Sequence, residues 1–324
     1  MPGPIDASGL IPTQYANQII QGILVQSAAL ALGKRMPMGT GIAEIPIAGA
    51  FPTAAFVSTG ARKPFTDFKL TSETMKAEEI AAVIAIPQNY LDDTTIDLWG
   101  YARPLLAQAI AVALDNAVIW GVGAPASYPT GGIADPAFST VVTTGTDPLD
   151  TVNAAFGAVE AQGLPVTGAD ADLVVKAALR GVRDTNGAFL LGPQQAESAA
   201  PNSLYGVPLM FTLISQQAQD FIAGDWDALM MGVRQDISYD TSTDGIIADD
   251  TGKVLVSAFQ DDQVLMRVHA RFGCVVAQPV TARAPAGGKP FAIADVAPAV
   301  TGNGAVTEAT PASGATKKAA TTSA

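Results

Sequence analysis

The chain of 324 residues contains one histidine, His269, and one cysteine, Cys274. That pair limits the chemistry available. No intrachain disulfide, cysteine zinc cluster or two-histidine metal site can be assembled from it. A Ser-His-Asp or Cys-His arrangement would have to use His269, which lies in "VLMRVHARFGCVVAQP", a stretch that reads as a strand. Strict alternation places His269 and Cys274 on opposite faces of that strand, which argues against a dyad. The acidic pairs Asp92-Asp93, Asp249-Asp250 and Asp261-Asp262 could offer oxygens to a hard cation. Adjacent carboxylates in loops are ordinarily just solvated, so no metal site is expected. The glycine-rich "GVGAPASYPTGG" (121–132) follows a helix instead of opening one and lacks the Lys-Ser/Thr ending of a phosphate loop, so it reads as a surface turn.

With chemistry so sparse, composition and organisation carry the argument. The chain is 48% hydrophobic and 15% charged, enough to bury a large core in more than one domain. Mean hydropathy is +0.28, but the longest apolar stretch, Ala102 to Val122, is interrupted by Arg103, Gln108 and Asp115-Asn116. A membrane span of about 20 clean apolar residues is therefore not expected. The opening "MPGPIDASGLIP" has neither a basic nor an apolar leader region, so a secreted product is not expected either. Eighteen basic against 30 acidic residues give a net charge of −12, and no basic run exceeds two residues. A grip on nucleic-acid phosphates needs clustered Lys and Arg, so tight nucleic-acid binding is disfavoured.

Residues 1–43 are rich in Gly and Pro around one amphipathic piece, "QYANQIIQGILVQSAAL", with Ile19, Ile20, Ile23, Leu24 and Ser27 at helical spacing. In residues 44–86 the flanks Glu44 to Ile47 and Ile80 to Ile86 read as strands of a long hairpin. Its middle alternates aromatics and charges at Arg62, Lys63, Phe65, Asp67, Phe68 and Lys69. Such a hairpin buries little against its own domain and needs a neighbour. Pro87 ends the second flank, Asp92 or Asp93 can cap a helix entry, and a helix spans about 97–120. Its predicted stripe is Ala102, Leu106, Ile110, Ala113, Ala117 and Trp120, with Leu114 also packing, and Gln108 and Asp115 on another face. Pro104 predicts a kink, or a restart with Pro104 in the first turn.

From 150 to 249 the pattern alternates: "PLDTVNAAFGAVEAQG" as helix, "DADLVVKA" as strand, "ALRGVRDTNGAFLL" as a helix with a turn, then "YGVPLMFT" and "DALMMGVRQDISYD" as strands. This implies an α/β or α+β unit. "VLVSAF" and "QVLMRVHARFGCVVAQPV" add long strands, and residues 299–324 are low-complexity, with disorder expected.

The series as a whole, from "FVSTGARKPFTDFKL" through "IAIPQNYLDD", "DLWGYARPLLAQAIAVALDNAVIWGVG", "PTGGI" and "GDWDALMMGVRQDISY" to "DDQVLMRVHARFGCVVAQP", resembles the major capsid proteins of tailed bacteriophages with the Hong Kong 97 fold. The resemblance covers roughly residues 10 to 285 and rests on the order and spacing of pieces more than on any short motif. It implies an α+β fold with an N-terminal arm (1–43) and an extended β-hairpin loop (44–86) lying over the adjacent subunit. It further implies a peripheral domain (87–149 and 250–298) with a spine helix at about 97–120, and an axial domain (150–249). On this reading Leu106, Ile110, Leu114 and Trp120 pack the spine, and Arg62, Lys63, Phe65, Asp67, Phe68 and Lys69 meet the neighbour.

The function so implied is that of a non-enzymatic major capsid protein, without cofactor, catalytic or metal residues. It self-assembles into pentamers and hexamers of an icosahedral head enclosing double-stranded DNA. The implied partners are further copies of itself, a separate scaffolding protein, a portal and, as an optional addition, a decoration protein. The packaged DNA is held without sequence-specific binding, and no membrane is involved. The particle is the virion capsid, assembled in the host bacterial cytoplasm. An encapsulin-type nanocompartment shell of the same fold is the alternative.

Some relatives with this fold lock their shells with an isopeptide bond between a loop lysine and an asparagine in the neighbour's peripheral domain. Lys63, Lys69 and Lys76 could supply the amine, but no asparagine occurs between Asn202 and Asn303, so the closing strands offer no electrophile. Mature particles boiled in detergent should therefore run as a single band near the 33.1 kDa monomer, and a ladder of multiples surviving reductant would contradict this.

Overall fold

The computed structural model describes residues 27–66, 70–93, 98–143, 147–182, 203–212, 220–249 and 251–296. Helices are α1 (Ala28–Leu32), α2 (Gln88–Asp93), α3 (Leu98–Trp120), α4 (Pro148–Glu160) and α5 (Leu173–Gly181). Strands in the first half are β1 (Lys34–Pro37), β2 (Ile42–Ala48), β3 (Leu70–Lys76), β4 (Glu78–Pro87) and β5 (Ser139–Val142). Then come β6 (Gly168–Asp172), β7 (Ser203–Leu204), β8 (Val207–Thr212), β9 (Phe221–Gly224) and β10 (Leu229–Ser242). The last four are β11 (Ile246–Ala248), β12 (Val254–Ser257), β13 (Gln263–Val276) and β14 (Phe291–Ala294).

Two sheets organise these elements. The first has the order β1-β10-β13-β4, with β1 parallel to β10 and the other pairs antiparallel. The alternate residues Met266, Val268, Ala270, Phe272, Cys274 and Val276 of β13, with Ile80, Ala82 and Ile84 of β4, turn one face into the main core. There α3 lies against them through Leu106, Ala107, Ile110, Ala111, Leu114 and Val118. These recur at steps of three and four, the spacing of one helical face. Each such leucine or isoleucine is worth about 1.5–3 kcal/mol in burial.

The second sheet has the order β5-β14-β9-β6-β8-β7. Its one face packs on α4 through Val152, Ala155, Phe156 and Val159. From its other face Ile222, Phe291 and Ile293 enter the same core as α3. The long helix is thus wedged between both sheets.

Several expectations need correction. β4 is not the return strand of the hairpin. β2 pairs with β3, from Ile42 opposite Lys76 to Ala48 opposite Leu70, while β4 pairs along its length with β13. The local signal marks β4 as a strand but not its partner, while β3 is too polar to announce itself, and the half-buried residues of β4 fit β13. The segment "DADLVVKA" divides: β6 ends at Asp172, whose carboxylate accepts from the Val174 N–H at 2.9 Å and starts α5. Asp92 and Asp93 lie within α2 instead of capping α3. The long helix runs through Pro104, its seventh residue, without a break in assignment. Ala113 is exposed, and the buried row continues through Leu114. The sheets also cross the expected segment limits, since β10 joins the first sheet and β5 and β14 join the second. Residues 14–26 of the amphipathic piece, and 299–324, lie outside the described residues.

By length and composition alone Ala102–Trp120 could cross a membrane, but 50% of it is buried in this fold, the situation of a core helix. Its end is set by Gly121 at φ 67, whose N–H donates to Ala117 O while Val122 N–H donates to Asn116 O. The glycine-rich turn then returns so closely that a Cβ on Gly132 would meet the Ile119 carbonyl at 2.7 Å.

The β2–β3 hairpin has almost no core of its own, since in β2 only Ile45 and in β3 only Met75 are buried. A two-stranded ribbon with so little burial is marginal. It is held at its root by Met75 and Met38, whose sulfurs fill the space over Gly232 and Gly273, a directly paired couple in β10 and β13. A Cβ at Gly232 would collide with both sulfurs, and one at Gly273 would lie 2.7 Å from Met75 Cγ. Met75→Ala should therefore lower unfolding stability by about 2–5 kcal/mol, measured by denaturant titration. An unchanged midpoint would show that the root is held by something else.

Candidate functional site

Beyond β2 and β3 the hairpin continues as two runs without regular structure, 49–58 and 61–66, the first touching the body where Phe51 N–H donates to Pro285 O at 3.3 Å. They are tied by the Thr66 hydroxyl, which donates to Thr53 O at 2.6 Å, and closed by a turn in which Ala61 N–H donates to Ser58 O at 3.0 Å. Gly60 takes φ 84 there, a conformation that favours glycine. Arg62, Lys63 and Phe65 are all exposed, as the charge and aromatic alternation implies. Asp67, Phe68 and Lys69 lie outside the described residues. Phe65 is 90% exposed and Phe56 fully so, and Ile42 and Leu70 are also exposed. Phe56 belongs to the same alternating run but its contribution was not singled out in the sequence. Aromatics and cations of this run are thus held in solvent, away from the core.

A second apolar surface was not foreseen. The β11–β12 ribbon exposes Ile246, Val254 and Leu255, and Phe259 after it is 78% exposed. Between this ribbon and the first sheet lies a hollow of about 500 Å³ lined by Val83, Ile246, Ile247 and Leu265, with Asp240 and Arg267 at its polar side. The sequence signal was the short apolar run on each side of the Asp249 turn. That turn accounts for one acidic pair, since Asp249 Oδ1 accepts from Thr251 N–H (3.0 Å), Thr251 Oγ1 (2.6 Å) and Lys253 N–H (2.9 Å). Asp261 Oδ2 likewise accepts from Ser257 N–H at 2.9 Å. Among the described residues no cluster of His, Cys, Asp or Glu is arranged to hold a metal ion.

His269 and Cys274 fall on opposite faces of β13, as alternation requires. Alternation does not show what surrounds His269. Its Nε2 lies 3.2 Å from Ser238 Oγ and 3.1 Å from Gln235 Nε2, and its Nδ1 lies 3.6 Å from Asp240 Oδ2. The order of groups is that of a Ser-His-Asp relay, but Asp240 Oδ2 accepts from Arg267 Nη2 at 2.8 Å and two groups compete for Nε2. β10 is bulged between Val233 and Gln235 and between Gln235 and Ser238, and these contacts tie the bulged strand to β13. Cys274 is wholly buried, which pushes its thiol up to about 12.

The footing of the hairpin is polar as well as apolar. Glu78, at the start of β4, receives Lys76 Nζ at 2.7 Å and the Ser127 hydroxyl at 2.8 Å, which hold its carboxyl below the usual range. Next to Ser127, the Tyr128 hydroxyl donates to Phe272 O at 2.9 Å. The turn after α3 is thereby fastened to both β4 and β13. Of the spine residues, Leu106, Ile110 and Leu114 are buried at 7%, 2% and 2%, while Trp120 is partly buried and packs against the same core.

The phage capsid family matches residues 7–283, and the chain belongs to that family, with the Hong Kong 97-like capsid fold. It is 25% identical over 257 residues to the probable major capsid protein gp17 of Mycobacterium phage D29, covering 74% of this chain and 78% of that protein. Among solved structures, a chain from Microbacterium phage Oxtober96 is 28% identical with a TM-score of 0.68, covering 83% of this chain and 90% of that one. A chain from Mycobacterium phage Adephagia, at 23% identity and a TM-score of 0.70 over 92% of this chain and 99% of its own, shares the fold. The chain is a phage major capsid protein.

The native thiol should resist a disulfide reagent at pH 8 and react with one equivalent after denaturation, because a thiol with its pKa at about 12 is almost wholly protonated there. Rapid native labelling would contradict the burial of Cys274.

Proposed function

We propose that this capsid protein closes into pentamers and hexamers of an icosahedral head around double-stranded DNA, and that the hairpin loop carries the contact between subunits. The observation behind this is the exposure of Phe56 and Phe65 on a ribbon that has no core of its own. A surface that binds a different patch on a copy of the same molecule makes a head-to-tail contact, which closes into rings when the rotation allows. Arg62, Lys63 and Phe65, with Asp67, Phe68 and Lys69 on the same loop, are the contact residues of this reading. Leu106, Ile110, Leu114 and Trp120 keep the tile rigid between contacts.

The domain roles accompany it: an arm at 1–43, an extended loop carried on the β2–β3 hairpin, a peripheral domain built on the first sheet and its spine helix, and an axial domain built on the second sheet. A separate scaffolding protein, a portal and an optional decoration protein are the partners proposed. The site of assembly is the host cytoplasm, and no catalytic activity is assigned. The net charge of −12 fits a container that holds DNA without gripping it. The phage relatives favour a virus head over a cellular nanocompartment.

The test is removal of the loop tip alone, residues 54–65, leaving β3 and its Met75 anchor in place. The variant should remain folded by circular dichroism yet sediment as subunits or small rings, where the full chain forms megadalton particles. Closed particles from the variant would contradict the assignment of the loop.

A further inference from the structure

The edges of the two main sheets are not alike. On one side of the first sheet β1 carries Lys34, Arg35 and Pro37, and the edges of the second sheet, β5 and β7, are only four and two residues long. Cations, proline and shortness are ordinary ways of keeping an edge from pairing with another chain. β4, the other edge of the first sheet, has none of them between Glu78 and Ile86. It is ten residues long and runs beside β13 from Glu78 to Pro87 without a register shift. From Ile80 to Ile86 its sequence is wholly apolar.

The ladder with β13 shows which backbone groups of β4 point outward. Gln88 N–H donates to Asp262 O at 2.8 Å, in register with the β4–β13 pairs. In an antiparallel ladder bonded and non-bonded residues alternate, so Ile80, Ala82, Ile84 and Ile86 bond to β13 while Glu79, Ala81, Val83 and Ala85 turn their N–H and C=O groups away from it. Among the described residues no strand lies on that side. Ala81 is exposed there and Val83 is 46% exposed. Even Ile80, Ala82 and Ile84, which pack on the main core, are only partly buried, whereas Met266, Val268 and Ala270 of β13 are at most 1% exposed. The core is thus open along this edge. Both ends of the open stretch are closed. Ala77, the outward residue before it, gives its N–H to Gly41 O at 2.9 Å, and Pro87, the outward residue after it, has no N–H to give.

We infer that the β4 edge pairs antiparallel with the same edge of a second copy of the chain, about a two-fold axis at Ala82. The two closed ends fix the register. With Ala82 opposite Ala82, Glu79 faces Ala85 and Ala81 faces Val83 in both directions, so every outward N–H and C=O of the open stretch finds a partner. Ala77 and Pro87, which have nothing to donate, then stand opposite one another. Charge selects the same arrangement. A parallel pairing would set Glu78 and Glu79 beside their own counterparts, and the antiparallel one sends them to opposite ends, over apolar residues. On one face Ile80, Ala82 and Ile84 of each copy cover those of the other, and on the other face Ala81 and Val83 do the same. Such a contact is isologous, uses up both edges at once and stops at a pair. It is separate from the head-to-tail contact proposed for the hairpin and stands whether or not the loop carries that contact.

Cysteine cross-linking of the full-length chain reads this register. Ala82→Cys oxidised with diamide should give a reducible band at twice the monomer mass as its main product, because the Cβ atoms of a directly opposed pair lie within about 5.5 Å. Ala85→Cys should give almost none, since its counterpart lies six residues along the partner strand, about 20 Å away. The unmodified chain, whose Cys274 is wholly buried, serves as the blank. Adding Ala81→Pro to Ala82→Cys should lower linkage roughly tenfold with far-UV circular dichroism unchanged, because residue 81 turns its N–H to the partner and not to β13. Val83→Lys, a charge on the same edge, takes its place if the proline variant does not fold. No linked dimer from Ala82→Cys would overturn the pairing and leave the edge to a different occupant. So would equal linkage from Ala85→Cys, or linkage that survives the edge-blocking substitution.

Discussion

The fold depends on how a ribbon without a core is held to a body that has one. In β10 and β13 two glycines face each other, and the gap they leave takes the sulfurs of Met75 and Met38. Methionine suits such a seat because its unbranched chain fills irregular space. Around this seat Ile45, Ala77 and Val275 complete a small cluster separate from the main core. The hairpin thus leaves the first sheet in a fixed direction although its own strands are nearly all exposed. That direction is what allows Phe56 and Phe65 to stand in solvent without collapsing onto the sheet. A side chain larger than glycine at either paired position would lift the root and re-aim the tip.

The body beneath that seat is stiff for a second reason. α3 is shared by both sheets, so the row Leu106, Ile110 and Leu114 is buried from more than one direction. The turn after it is pinned by Tyr128 and Ser127 to the two strands that flank the hairpin root. The helix, the sheet and the root of the ribbon are therefore joined by continuous packing and hydrogen bonds. A shell tile needs this property, because a contact at one end must fix an angle at the other. The start of the described chain is held on the same helix by the buried Asp115 carboxylate, which accepts from the Ser27 hydroxyl and the Ala28 and Ala29 N–H groups.

Elements with strong local signals were legible in the sequence. The long helix, α4 and the strands β8, β10 and β13 follow from periodicity, and the glycine turn closes the helix where it reads as a stop. Pairing was not legible. The apolar β4 looks like the hairpin return, whereas the true return β3 carries little apolar signal and β4 pairs with the apolar face of β13. The strand reading of "DADLVVKA" failed at Asp172, where a helix cap inside an apolar run outweighs alternation. Asp115 was placed on a polar face with Gln108, because nothing near it in sequence tells of a cap arriving from Ser27. The Ser238, His269 and Asp240 grouping was hidden for the same reason, as bulges in β10 bring it together across strands. Long-range polar contacts leave no periodic trace, so sequence reasoning missed the contacts while finding the elements.

The central claim is that the loop aromatics become buried on another copy of the chain. Hydroxyl-radical footprinting read by mass spectrometry measures this at single side chains, by comparing unassembled subunits with closed particles. Oxidation of Phe56 and Phe65 should fall severalfold on assembly, while Phe272, already 5% exposed in the subunit, should be low and unchanged in both. Equal oxidation of Phe56 and Phe65 in subunits and particles would contradict the account, because the ribbon would then be solvated in the shell.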